Sequence, residues 1–366
     1  MAATARRALF GLAAAGLVVA LLAVLLVAGE WLARREQLAP LPARLREEAW
    51  ARPDPMLGWV PRAGVFHAEE SGRAAMTFWP GGRRATRARP DPPPDARVEV
   101  VLVGGSWTAG YGVRDDETFG WLLGEALPEV RVENLGAGGY GTLQSGMRAE
   151  LAYAQRRIAP DVVVYGFATF HAMRNVDTAA WARGLWSTTG QRLAPPRAEL
   201  VAAPPADAGG DASGAGERLV VHPPQTLPAW PLERHFALVR VLHARWLAFA
   251  WRERERQAPA VTQRLLRRFA SSVRRMGAEP VVMVLFGDDE LRPYLQELHD
   301  GGVATLDCRF PDDPKSAALR VGGTGHPNAT VHRYWADCLR RHLKHRVLPR
   351  FAPGAPPDRR PTGAPR

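Results

Sequence analysis

Five short apolar runs, each rich in β-branched residues and separated by segments of helical period, constrain this chain more than any other feature. They are Val98–Val103, Val130–Leu135, Val162–Phe167, Val281–Phe286 and Val303–Asp307. Helical patterns fall between and after them, over Thr118–Leu127, Thr142–Arg157, Ala260–Met276, Glu290–His299 and Ala329–Leu343. Continuously apolar strands that alternate with helices fit a parallel sheet buried on both faces. The expected fold is therefore α/β: a three-layer, doubly wound, flavodoxin-like parallel sheet of about five strands.

A second constraint lies at the N-terminus. Ala8 to Gly29 carries no charged residue over 22 positions. As a helix rising about 1.5 Å per residue, such a run spans a bilayer's hydrocarbon core. Arg6 and Arg7 precede it, while Val27-Ala28-Gly29 is only a passable cleavage site. The reading is an uncleaved anchor at residues 1–30, single-pass, contacting membrane lipid and holding the rest of the chain outside the cytoplasm. Arg34 and Arg35 on the far side blur the charge bias that sets orientation.

Between anchor and first strand, residues 31–97 read as a connector, amphipathic, charged and helical to about residue 50 and then, over 51–97, rich in Pro, Gly and Arg with little periodicity. Residues 98–348 are expected to form the α/β domain, interrupted by an insertion at about 187–255. Within that insertion Ala203–Gly216 reads as a loop and Leu232–Arg252 as an aromatic-rich helix. From Pro349 onward the chain is expected to be disordered.

The formal charge of +11 invites a nucleic-acid reading, but 46 of the 48 basic residues are arginines scattered along the chain, not gathered in a stripe. A solvated basic surface is expected, with no nucleic-acid partner. Cys308 and Cys338 lack metal-ligand spacing, so no metal site is expected; the pair could form a disulfide in an oxidising compartment or stay as buried thiols.

In an open α/β sheet, ligands gather at the carboxyl ends of the strands. Three such places carry suggestive chemistry. Gly104-Gly105-Ser106-Trp107-Thr108-Ala109-Gly110 follows the first strand and lets a serine hydroxyl project while its backbone N–H stays available to an oxyanion. Asn134-Leu135-Gly136-Ala137-Gly138-Gly139-Tyr140-Gly141 follows the second and can offer another backbone donor. Gly325-His326-Pro327-Asn328 precedes the last helix, where His326 can serve Ser106 as general base.

In this order the segments resemble the blocks of the SGNH (GDSL) hydrolases. Ser106, Thr108 and Gly110 match the first block, and NLGAGGYGT the second, with Gly139 at its oxyanion glycine. Pro160–Val164 resembles the lead-in to the third block, and GHPNATVHRYWADCL the last, with His326 as catalytic histidine. Upstream, Asp54–Trp59 looks like the lead-in of membrane-anchored members. The resemblance implies a serine hydrolase or O-acyltransferase acting on an ester, of the acetylated-carbohydrate or lipid class. Ser106 and His326 would be catalytic, the N–H groups of Ser106 and Gly139 would face the oxyanion, and no cofactor is required.

Four expected side chains are absent. Gly105 stands where the first block has Asp, Phe170 and His171 stand where the third has Asn and Asp, and Gly323 and Thr324 occupy the places of the triad Asp. Loss of one oxyanion donor costs about 10²–10³ in rate, and loss of the group orienting the histidine about 10⁴. His171 and Asn175 are the candidate surrogate donors, and Asp312 or Asp313 the candidate partner for His326. The alternative reading is a degenerate family member serving as a binding or assembly module at the membrane.

Overall fold

The computed structural model describes residues 2–36, 50–68, 74–189, 192–202, 217–227, 229–287, 289–312, 316–322 and 325–352. In chain order, helix α1 (Ala2–Arg35) precedes strands β1 (Ala51–Asp54), β2 (Gly58–Pro61), β3 (Gly64–Ala68), β4 (Ala74–Trp79) and β5 (Arg83–Arg84). Then come β6 (Val98–Gly104), α2 (Ser106–Ala109), α3 (Phe119–Ala126), β7 (Val130–Asn134), α4 (Thr142–Ala154), β8 (Val162–Ala168), α5 (His171–Asn175) and α6 (Ala179–Thr189). Next are β9 (Arg197–Ala202), β10 (Glu217–His222), α7 (Ala237–Ala250) and α8 (Arg252–Arg275). The order closes with β11 (Glu279–Phe286), α9 (Arg292–Asp300), β12 (Ala304–Asp307) and α10 (Ala329–His342).

The chain divides into two compact units, residues 1–46, 179–193 and 226–252 in one and 47–178, 194–225 and 253–366 in the other. The segment read as an insertion, 187–255, is thus shared between them. In the first unit, Leu9–Arg35 of α1 has a mean hydropathy of 2.8 over its most apolar window and buries none of it. That helix is long and apolar enough to cross a membrane. Glu30 caps α7 by accepting from the backbone N–H groups of Ala237 (3.0 Å) and Leu238 (2.9 Å), and α6 and α7 share a small core of Ala182, Trp186 and Leu247.

The second unit is built on an eight-stranded sheet of order β12-β11-β8-β6-β7-β5-β4-β3. Its parallel part, β12 to β7, comprises the five apolar runs of the sequence, in the doubly wound order that places the switch point between β6 and β8. One face carries α3 and α10, whose Phe119, Leu123, Trp335 and Leu339 meet Val100, Leu102 and Val164. The other carries α4, α8 and α9, whose Ala149, Leu266, Phe269 and Leu298 meet Val101, Val103 and Tyr165. Burial on both sides is why these strands read as unbroken apolar runs.

The sheet has eight strands where about five were expected. The extra three, β3 to β5, are antiparallel and come from residues read as connector. They are short; β5 holds only two arginines, and β3 keeps most of its residues exposed, so neither shows a strand period. The cysteines are joined in a Cys308–Cys338 disulfide, which ties the end of β12 to α10. The expected Ala203–Gly216 loop and the tail beyond residue 352 lie outside the described residues. The 3₁₀ turn Leu348–Phe351 runs from the end of the expected domain into the first residues of the expected tail.

Candidate active site

The end of β6 is shaped by one packing demand. Gly104 and Gly166 are register partners on β6 and β8, and a Cβ on either would run into the side chain of Thr108. The two glycines let the chain turn tightly into α2, with the Ala109 N–H donating to the Gly105 carbonyl at 3.0 Å. Gly110 ends the turn at φ +72°, a left-handed conformation that glycine adopts without strain. Ser106 thus becomes the first residue of a one-turn helix at the carboxyl end of the central strand, where it is 7% exposed.

Two buried side chains fix this turn from outside it. Asn134, at the end of β7, donates from Nδ2 to the Thr108 carbonyl (2.8 Å) and accepts the Gly136 N–H on Oδ1 (2.9 Å). It therefore locks the serine turn to the glycine loop. Arg84, from the unforeseen β5, is fully buried and donates to the carbonyls of Ala109 and Val113, both at 3.0 Å, while pairing with Asp115. Burial pushes its guanidinium down to about 9, which leaves it charged at neutral pH.

The Asp54–Trp59 stretch abuts the glycine loop. Trp59 Nε1 donates to the Gly138 carbonyl (2.9 Å), Gln144 Nε2 donates to the Leu57 carbonyl (2.7 Å), and the Tyr140 hydroxyl donates to the Trp59 carbonyl. Gly139 sits at φ +82° in the turn closed by the Tyr140 N–H on the Ala137 carbonyl (3.2 Å). The Ala137 N–H reaches the Gly104 carbonyl (3.0 Å), which holds the loop against the end of β6.

His326 arrives from the far side of the sheet on a loop ahead of α10. Its carbonyl accepts the Val321 N–H (2.7 Å), Gly325 beside it has φ +67°, and Asn328 caps α10 by accepting the Thr330 N–H (3.0 Å). Asn328 Nδ2 also donates to the Ala318 carbonyl at 2.7 Å. The imidazole packs on Tyr111, ring centroids 4.8 Å apart, and its Nε2 lies 3.0 Å from Ser106 Oγ. Residues 220 positions apart in sequence are thus in hydrogen-bond contact. Asp313, Gly323 and Thr324 lie outside the described residues. Asp312 lines a cavity of about 510 Å³ beside the dyad, together with Trp107, Phe286, Arg309, Tyr334 and Trp335. Trp107, which lines that cavity, packs edge to face on Phe170 at 5.2 Å.

The two candidate surrogates differ in what their side chains already do. Asn175 is consumed by structure: Oδ1 accepts the Leu143 N–H (3.2 Å), and Nδ2 donates to the hydroxyls of Thr142 and Thr262, each at 3.0 Å. His171 is 2% exposed, and its Nδ1 contacts the Tyr165 hydroxyl at 2.7 Å. Burial, with the nearby Arg174, holds its pKa well below the ordinary range, so the ring is neutral. A Cβ at residue 105 would lie 3.1 Å from His171 Nε2 and 3.0 Å from Nη1 of Arg174. Arg174 was invisible to block alignment, because it stands a helical turn beyond the positions where the third block was counted. Among the described residues, no group of three or more His, Cys, Asp or Glu could hold a metal ion.

No family model matches the chain, and no curated protein sequence matches it. Among solved structures it is similar to the psychrotrophic esterase EstA from Pseudoalteromonas sp., at 11% identity and a TM-score of 0.38, over 68% of this chain and 99% of that one. It is similar to a family two carbohydrate esterase from Clostridium thermocellum solved in complex with cellohexaose, at 12% identity and a TM-score of 0.40, over 72% and 67%. A third likeness is to the acetylxylan esterase Axe2 from Geobacillus stearothermophilus, at 12% identity and a TM-score of 0.37, over 68% and 94%. These likenesses are distant, and the site stands on its own residues.

Proposed function

We propose that this chain is a membrane-anchored serine hydrolase or O-acyltransferase that acts on an ester through Ser106 and His326. The observation that carries the reading is the 3.0 Å separation of Ser106 Oγ and His326 Nε2 at the carboxyl end of the central strand. In the reaction Ser106 Oγ bonds to the ester carbonyl carbon as its proton passes to His326 Nε2. The carbonyl electron pair moves to oxygen, facing the N–H groups of Ser106 and Gly139. Collapse expels the alcohol, which takes the proton from His326. Water, or a second alcohol in acyl transfer, then releases the acyl group by the same steps in reverse.

For the substrate we infer an acylated carbohydrate or lipid, the class the block resemblance implies. The aromatic side chains and the charged Arg309 and Asp312 around the adjacent cavity support the carbohydrate branch, since sugars present both apolar faces and hydroxyls. We place α1 across the membrane and the second unit on its oxidising side. The Cys308–Cys338 disulfide supports that placement, because such bonds persist outside the reducing cytoplasm.

The test is turnover of p-nitrophenyl acetate by the full chain in detergent micelles, beside Ser106→Ala and His326→Ala. Both substitutions are expected to bring turnover to background. Equal slow rates in all three proteins would favour the binding-module reading.

A further inference from the structure

In the first unit, the turn at residues 231–236 inverts the usual arrangement of a surface turn. The one side chain it buries is a carboxylate, and its apolar side chains face outward. Glu233 is 7% exposed; its Oε2 accepts from Arg192 Nη2 at 2.6 Å and from the Trp230 N–H at 3.3 Å, and lies 3.0 Å from His243 Nδ1. By contrast Leu232 is 60% exposed and Phe236 46%. Leu232 also sits at φ +64°, in the left-handed region that a leucine enters only with strain. The N–H groups of His235 (2.9 Å) and Phe236 (3.1 Å) both donate to the Leu232 carbonyl, which keeps the two apolar residues together, and Arg234 and His235 stand exposed between them.

The packing of α7 on α1 fixes the level of this turn. A Cβ at Gly29 would lie 3.2 Å from the Leu238 side chain, and Glu30 accepts the N–H groups of Ala237 (3.0 Å) and Leu238 (2.9 Å). Further along, Ala33 joins Ala237 and Val241 in a small core, and Arg245 Nη2 reaches Glu36 Oε1 at 2.7 Å. The two helices therefore run side by side in the same direction, and α7 begins where the uncharged run of α1 ends, at Gly29. Phe236 immediately precedes that start, and its bond to the Leu232 carbonyl keeps Leu232 at the same level. There α1 itself presents Trp31, 55% exposed, with the Arg35 guanidinium 3.7 Å over its ring, an aromatic and basic pair suited to a lipid–water boundary.

We propose that the turn at residues 231–236 is a second membrane contact, with Leu232 and Phe236 inserted at the headgroup–acyl boundary of the bilayer that α1 crosses. This rests on the placing of α1 across the membrane above. Two apolar side chains beside a lipid-facing helix leave water by entering that boundary, while Arg234 and His235 stay among the phosphates. The contact is confined to the start of α7. At about 1.5 Å per residue, Phe249 stands roughly 20 Å further along α7 than Phe236, carried away from the bilayer beside the end of α1.

The experiment uses the full chain in nanodiscs of phosphatidylcholine and phosphatidylglycerol. Leu232→Cys, Phe236→Cys, Phe249→Cys and Leu22→Cys would each be labelled with bimane without reductant, so that the Cys308–Cys338 bond stays closed. Bimane at residues 232 and 236 is expected to emit to the blue and to lose intensity to a lipid nitroxide at the headgroup–acyl boundary, with little loss to aqueous iodide. Phe249→Cys should show the reverse, and Leu22→Cys should lose intensity to a nitroxide deep in the acyl chain. Two turn positions are read because a cysteine that disturbs one leaves the other informative. Iodide quenching at both turn positions equal to that at Phe249→Cys would overturn the proposal. Shielding of the turn from iodide and lipid nitroxide alike would overturn it too, since a protein partner would then cover the turn. So would lipid quenching as strong at Phe249→Cys as at Leu232→Cys. A Leu22→Cys label untouched by the deep nitroxide removes the membrane-crossing reading, and this contact with it. Normal quenching at Leu22→Cys with both turn positions in water removes this contact alone.

Discussion

Removing the disulfide should cost this chain both stability and catalytic geometry, because His326 lies inside the loop that the bond closes. Cys308 follows the last strand and Cys338 sits on α10, 30 residues later. Cross-linking that span restricts the unfolded chain by roughly 3.6 kcal/mol at 25 °C in the loop-entropy model. At about 2–4 °C per kcal/mol, the Cys308→Ser/Cys338→Ser double variant should melt roughly 7–14 °C lower. Within the loop His326 is held by the Val321–His326 and Leu319–Asn328 backbone hydrogen bonds and by the cap of α10. Loosening the bond should let the imidazole drift from Ser106, and a displacement near 1 Å can cost on the order of 10²-fold in rate. The assay pairs thermal melting by circular dichroism with kcat/KM at a temperature where both proteins are folded. Cys338 is only half-buried, so a reductant should reproduce the double variant. A variant that melts with the parent and keeps its kcat/KM would refute the idea that this bond holds the histidine loop.

Asp177 supplies a pH-dependent prediction. Its carboxylate is fully buried, has no hydrogen-bond partner among the described residues and lies 3.7 Å from Arg254. Burial raises its pKa from 3.8 to about 7, despite the opposing arginines. The folded protein therefore binds this proton more tightly than the unfolded one, and stability falls as pH climbs from about 4 to 7. Asp177→Asn, which also suits φ +53°, should match the parent near pH 4 and exceed it at pH 8 by up to roughly 4 kcal/mol in urea unfolding. Equal gains at both pH values would rule out that linkage. Asn175→Ala breaks three buried hydrogen bonds and should destabilise by on the order of 3 kcal/mol in the same measurement. A stable but inactive Asn175→Ala would instead make that amide a surrogate oxyanion donor.

The central sheet was legible because its parallel strands are buried on both faces, so Val98–Gly104 and Val162–Ala168 announce themselves as apolar runs. The antiparallel edge was not. Arg83–Arg84 is a strand only because β4 and β7 flank it, and the burial of Arg84 is offset by carbonyls that lie 25 and 29 residues away. Ser106, Gly139 and His326 could be read from their glycine-rich surroundings, since tight turns demand particular residues. Arg174 could not, because its position is defined by what surrounds it in space: the hydrogen-bearing face of Gly105, the Phe170 ring and the Tyr140 carbonyl. The cysteine pairing was open for the same reason, as a separation of 30 residues does not say whether two Cα atoms come within 5.9 Å.

Active-site titration tests the central claim most directly. The full chain in detergent micelles would be treated with a fluorophosphonate, and the modified peptide identified by mass spectrometry. The account predicts one equivalent of adduct on Ser106, none in Ser106→Ala and a much slower reaction in His326→Ala. An adduct elsewhere, or equal labelling in the presence and absence of the Ser106 hydroxyl, would contradict it.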